Sequence, residues 1–314
     1  MAKNDYVYAV ARIRVLEKGL LTDSFIEQLV NTPDVAGVQR LLSERGWEEN
    51  LSLEEEKIRK TMNDLGADPE AFEILSLPDS YHNLKAGIKD AAASEVHHDA
   101  YYEGVSPSKE EIKKILDDKT WERLPSHMQQ AAQEIYEVFI HTLDGQMCDI
   151  MTDKACMDAI IKMGEASKEE VIRDYAESSV ASSDIKIAAR CCLTGKSVDF
   201  IKKALASCKT LDVNRLADAA AEGMESLMAY LSLTSYKEAA EALKNSFSEF
   251  EIWCDDVMVD TLKPQKTNPF SIGPLFAYMI GRKNEIKTVR IILTGKENGL
   301  SNEAIRERVR QMYG

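Results

Sequence analysis

Glu285-Ile286-Lys287-Thr288-Val289-Arg290-Ile291-Ile292-Leu293-Thr294-Gly295-Lys296 is the stretch on which the fold turns. Its β-branched centre, Thr288 to Leu293, reads as a strand on local propensity alone. Two earlier stretches open in the same way, with a polar residue, an aliphatic and a lysine: Asn83-Leu84-Lys85 and Asp184-Ile185-Lys186. Both steps between the copies are 101 residues, and a basic residue follows in each, at Lys89, Arg190 and Arg290. Leu-Thr-Gly-Lys recurs at Leu193 to Lys196 and at Leu293 to Lys296. The first two copies continue in small residues suited to helices, Ala86 to Ala92 and Ile187 to Cys192, so the third is read as a helix too. Each copy then has one apolar face: Leu84/Ile88, Ile185/Ala189/Cys192 and Ile286/Val289/Leu293. Gly195 and Gly295 are expected to end their helices in left-handed turns. A period near 100 exceeds that of a solenoid unit and matches a small domain. Three related helical modules are expected, at about 1–105, 106–206 and 207–314.

The rest of the chain reads as helix as well, giving an all-α class. No proline occurs between Ser126 and Lys263, so long helices can run there uninterrupted. Ser/Glu capping boxes are expected at Ser52/Glu55, Ser108/Glu111, Ser167/Glu170 and Ser235/Glu238. Thr32-Pro33, Asp68-Pro69 and Ser106-Pro107 each place a cap residue before a proline suited to the first helical position. Hairpin signals are nearly absent, since Asp144-Gly145 is flanked by helical sequence.

Composition narrows the function. With 15 Gly and 8 Pro in 314 residues, the chain is neither collagen-like nor turn-dense. Its net charge of −14 argues against a nucleic-acid partner, which would require a basic face. The stretch from Arg282 to Arg310 runs against the trend, with basic residues in excess. The longest uncharged apolar stretch, Thr267 to Gly281, is 15 residues and holds Pro269 and Pro274, short of the roughly 20 that a membrane span needs. The amino terminus carries no apolar signal-peptide core. Six cysteines without a C-x-x-C spacing read as a reducing, cytoplasmic setting.

Catalytic signatures are lacking. Gly195-Lys196-Ser197 resembles the tail of a phosphate-binding loop, but Arg190 stands where the first glycine belongs and the preceding element reads as a helix. Adjacent His97 and His98 diverge on a helix and cannot grip one metal ion. His82, His127 and His141 read as surface residues, and the cysteines as small apolar ones. No catalytic, cofactor-binding or metal-binding residue is assigned. From the residues alone, a helical scaffold or an all-α enzyme built on His97-His98 or Cys191-Cys192 stays open. The recurring cations Lys85, Lys89, Lys186, Arg190, Lys287 and Arg290 are candidates for a partner interface. Solvated helix faces are the plainer reading; a ring of cations around a shared opening would suit an acidic or helix-C-terminal partner. Arg306, Arg308 and Arg310 flank an Ile305/Val309/Met312 stripe, with Glu303 and Glu307 expected to pair Arg306 and Arg310.

In order along the chain, several passages resemble the C-type subunit family of V-type (A/V-type) rotary ATPases, whose eukaryotic member is the d-type subunit. They are Tyr8 to Leu21; Tyr81 to Lys85; Pro274 to Tyr278; Glu285 to Lys296; Gly299-Leu300-Ser301; Ile305 to Arg308; and Tyr313. Looser similarity covers Val105-Ser106-Pro107, Leu124-Pro125 and Ala131-Ala132. Thr288 departs from the family, where Asn is usual, and Cys191-Cys192 replaces small or aliphatic residues. The resemblance implies an all-α funnel of three similar domains around a pseudo-threefold axis. It implies a non-catalytic rotor adaptor, with the central shaft (the D and F subunits) seated in the funnel. The other end would rest on the membrane proteolipid ring (the c/K subunit). Torque passing through it would couple ATP hydrolysis or synthesis to H⁺ or Na⁺ transport, with no nucleotide or cofactor on the adaptor itself. Such a protein is cytoplasmic and reaches the membrane through its complex.

Overall fold

Scarce glycine and proline leave little to interrupt helices, and the computed structural model, which describes residues 6–92 and 101–314, is built of them. The chain opens with α1 (Val7–Leu16), α2 (Asp23–Asn31), α3 (Val35–Ser43), α4 (Leu51–Asp64), α5 (Pro69–Glu73) and α6 (Leu77–Asp90). Its middle forms α7 (Lys109–Asp118), α8 (Gln129–Thr142), α9 (Gly145–Ala166), α10 (Glu170–Leu193) and α11 (Val198–Ala204). It closes with α12 (Val213–Glu222), α13 (Met224–Leu231), α14 (Lys237–Asn245), α15 (Phe247–Leu262), α16 (Gly273–Glu297) and α17 (Asn302–Arg306). No strand occurs among the described residues, and the expected all-α class holds. None of their helices is long and apolar enough to cross a membrane.

Thr288 to Leu293 lie inside α16. Pro274 in its first turn supplies a preset φ where no N–H is needed. Ile286, Val289 and Ile292 then bury one face, so tertiary burial overrides the strand propensity of the β-branched run.

The chain divides into two compact units. One combines the described residues up to 71 with 168–178 and 236–314. Its core gathers Phe25 and Leu29 of α2, Val38 and Leu42 of α3, Ile58 of α4 and Ile286, Val289 and Ile292 of α16. Ile305 and Met312 complete it from the carboxyl-terminal side. Helix α17 ends at Arg306, earlier than the Ile305/Val309/Met312 stripe implies, but all three of those residues still pack on this core. The other unit takes the described residues of 72–167 and 179–235. There α6 packs on α7, α8 and α9, and Gly87 lets α6 approach α7, because a Cβ at that position would strike Ile112.

Helix ends match the sequence unevenly. Ser108 and Glu111 form a full capping box, and α5 starts at Pro69 after Asp68. Ser52 lies one residue inside α4, whose cap is Asn50. Ser167 is the residue after α9, and α14 follows Tyr236 with no side-chain cap. Thr32 ends α2 and Asp34 caps α3, while Ser108 displaces Ser106 as the cap of α7.

The two repeat glycines differ. Gly195 follows α10 with φ +62°, as expected of a terminating glycine. Gly295 is still within α16, and Gly299, at φ +66°, follows that helix instead. Gly295 makes room for a neighbour: a Cβ there would lie 2.7 Å from Ile305 Cγ1.

Candidate functional site

Each repeat copy begins with a polar residue on an apolar helical face, and in all three that residue is buried: Asn83 at 0% exposure, Asp184 at 0% and Glu285 at 1%. Burial of such a group requires a partner. Asn83 on α6 accepts the Tyr102 N–H at 2.8 Å and donates from its amide to the Tyr102 carbonyl at 3.0 Å. Asp184 on α10 accepts the Ala206 N–H at 3.0 Å. Glu285 on α16 accepts the Leu21 N–H at 2.5 Å. All three therefore pin a backbone segment 19, 22 and 264 residues away.

Around Glu285 the pinning becomes a charged cluster. Arg282 donates to Glu285 Oε2 at 2.5 Å and to Glu54 Oε2 at 2.6 Å, and its guanidinium lies over the Trp47 ring, 4.5 Å from the centroid. The second Glu54 oxygen accepts from Lys57 Nζ at 2.9 Å and from the Glu48 N–H at 2.8 Å. Burial pushes the Glu285 carboxyl up to about 7, with Arg282 and the Leu21 N–H opposing the rise. Sequence reasoning did not assign this cluster. The available signal was a carboxylate in step with an apolar stripe: Glu285 with Val289 and Ile292, and Glu54 with Ile58 and Met62.

The six candidate cations fall in different surroundings. Lys85 meets Asp153 at 2.8 Å and Asp149 at 3.8 Å, and Lys89 meets Asp149 at 2.5 Å. Lys287 shares Asp255 with Arg310, at 2.6 and 2.5 Å. Burial disfavours the Asp255 charge, but these two cations outweigh it and hold the carboxyl below its ordinary value. Arg290 reaches Glu55 at 3.2 Å. Arg190 is exposed and lines a cleft of about 390 Å³ with Gln146, Asp149, Asp153 and Lys196. Lys186 is half-buried and has no ion-pair partner among the described residues.

At the carboxyl-terminal end, Arg306 chiefly pairs Glu27, at 2.5 Å, with Glu303 at 3.9 Å. Arg310 takes Asp255 rather than Glu307. These long-range acids were invisible to a search for pairs within one helix.

The phosphate-loop-like tail has ordinary employment. Ser197 caps α11, and Lys196 donates to Gln146 at 3.1 Å and sits over the Phe200 ring. His127 is half-buried rather than superficial, because Tyr81 donates its hydroxyl to the His127 carbonyl at 2.8 Å and packs against the ring. Burial holds that imidazole below its ordinary value, against the pull of Glu73. Cys148, Cys156, Cys191 and Cys254 are buried, while Cys192 and Cys208 are partly so. His97 and His98 lie outside the described residues. No group of three potential metal ligands occurs among the described residues.

Comparison with known proteins accounts for nearly the whole chain. The model of the ATP synthase (C/AC39) subunit family matches residues 9–308. The C-type subunit of a V-type sodium ATPase from Enterococcus hirae is 23% identical, covering 96% of this chain and 97% of that protein. The C-type subunit of an A-type ATP synthase from Methanocaldococcus jannaschii is 27% identical, covering 50% of this chain and 42% of that protein.

Proposed function

From the premise that the chain belongs to the ATP synthase (C/AC39) subunit family, we propose that it is a non-catalytic rotor adaptor of a V-type rotary ATPase. It joins the central shaft, made of the D and F subunits, to the membrane proteolipid ring. Torque passes through it, coupling ATP hydrolysis or synthesis to the movement of H⁺ or Na⁺. The single observation that carries this reading is the family match across residues 9–308. An all-helical chain of packed elements suits a part that must transmit force without deforming.

The proposal includes three related modules, at about 1–105, 106–206 and 207–314, set around a pseudo-threefold axis. What supports it is the shared role of Asn83, Asp184 and Glu285, which recur at the 101-residue step and each accept a backbone N–H. The candidate cations are proposed to face the opening that receives the shaft. Lys85, Lys89, Lys287 and Arg290 carry acidic partners, whereas Lys186 has no ion-pair partner among the described residues.

Removing the protein from cells tests the role. Membranes should retain their proteolipid rings, and the soluble head should still hydrolyse ATP, while ATP-driven ion pumping disappears. Pumping that survives the deletion would overturn the proposal. For the interface, Lys186→Glu should weaken shaft binding, and more so at low salt; unchanged affinity would remove Lys186 from it.

A further inference from the structure

Apart from Arg12 and Arg14, helix α1 is apolar around its circumference, a pattern that ordinarily belongs to a buried helix. Ala9, Val10 and Ile13 are indeed buried. The opposite side is not. At about 100° per residue, Val7, Ala11, Val15, Tyr8 and Arg12 follow one another around a continuous arc of roughly 140°, and all five are exposed. Tyr8 is 68%, Val15 61% and Val7 46% exposed.

A second segment adjoins this arc. Arg14, at its edge, donates to the backbone carbonyls of Gln265 and Asn268, at 2.7 and 3.0 Å. That holds residues 263–270 beside α1, and two residues further on Phe270 is 56% exposed. The charges named here that lack an ion-pair partner are all cationic. Arg12 and Lys18 are exposed without an acidic partner among the described residues, and Lys266 is exposed over the Tyr313 ring. Glu17 is turned inward onto Arg14, and Asp260 is taken by Lys263. The result is a basic, aromatic and aliphatic patch on a chain of net charge −14.

We propose that this face of α1, together with residues 263–270, is a docking surface for an anionic phospholipid bilayer. Tyr8, Phe270 and the two valines sink to the headgroup boundary, and Arg12, Lys18 and Lys266 reach the phosphates by extending their stems outward. Charge favours lipid: the cations stand against the overall charge and complement anionic headgroups. The inference does not rest on the rotor role and is tested on this chain alone.

The test is sedimentation of the full chain with vesicles of phosphatidylcholine, alone or carrying about one third phosphatidylglycerol. Without a local basic surface, a chain of this net charge is repelled by the anionic vesicles. The expected result is binding to the anionic vesicles alone, weakening as salt rises. Tyr8→Glu with Val15→Glu should lower it at least about tenfold, and Arg12→Glu with Lys18→Glu about fivefold or more per charge. Phe270→Ser alone should lower it about threefold or more and, being in a loop, leaves the helices intact. Equal partition into both vesicle types, no partition, or binding unchanged in all three variants overturns the proposal. So does a dimer in solution that Tyr8→Glu with Val15→Glu dissolves, which would assign the face to a second copy.

Discussion

Arg282 is the residue on which most buried charge depends, because it alone lies between Glu54 and Glu285, themselves 2% and 1% exposed. Removing one partner of a buried ionic set costs about 3–5 kcal/mol, since the charges left behind have lost their counter-ion. Arg282→Met should therefore lower unfolding stability by about that much in urea titrations, and adding Glu54→Gln with Glu285→Gln should recover most of it. The same cluster sets a pH dependence. The folded-state value of Glu285, about 7, lies above the unfolded one, so the native state holds the extra proton between them. Its contribution to stability is whole below about pH 4.5 and falls as pH rises through about 7. Stability of the wild type relative to Glu285→Gln, followed by urea unfolding, should decline across that window and be level above it. Thr288 offers the opposite case. Its hydroxyl is fully buried with no hydrogen-bond partner among the described residues, so Thr288→Val should raise stability by about 1 kcal/mol.

At the scale of elements, two serines and two glycines look alike in sequence and differ in consequence. Ser108 caps α7 through the Glu111 N–H, so Ser108→Ala should cost about 1 kcal/mol. Ser52 sits within the first turn of α4, and Ser52→Ala should change stability by less than about 0.5 kcal/mol. Thermal melting of the pair decides. Gly295→Ala should cost about 1–3 kcal/mol through overpacking on Ile305, whereas Gly195→Ala costs about 1–2 kcal/mol from its left-handed backbone alone. The helices themselves were legible because apolar spacing is a local property: Ile286, Val289 and Leu293 announce a face whatever that face meets, although Ile292 is buried in the core and Leu293 only partly. Whether a glycine ends a helix or admits a neighbour is not local, since Gly295 acquires its role from Ile305. The buried cluster was hidden for the same reason. Glu285 stood on the apolar stripe in plain view, but its partner Leu21, and the Glu54 that shares Arg282 with it, are brought in from more than 200 residues away.

The whole molecule couples its two ends within one compact unit. Leu21 is held by Glu285 and Arg14 by the 265–268 backbone. The Met312 N–H donates to Asp23 at 3.2 Å, and Tyr313 packs across Gly281. Deleting residues 307–314 removes Met312 and Tyr313, two core side chains each worth about 2–5 kcal/mol. Hydrogen exchange should then speed up in α2 and α16 together. A chain emerging from a ribosome in order meets this arrangement at an awkward time. Phe25, Leu29, Val38 and Leu42 are translated early, yet the α16 surface that covers them is among the last to be made. Until then they offer raw apolar surface to chaperones or to other nascent chains. Arrested chains ending near residue 235 should accordingly be cut by protease within α1 to α4, and resistance should arrive only with the release of the final helices.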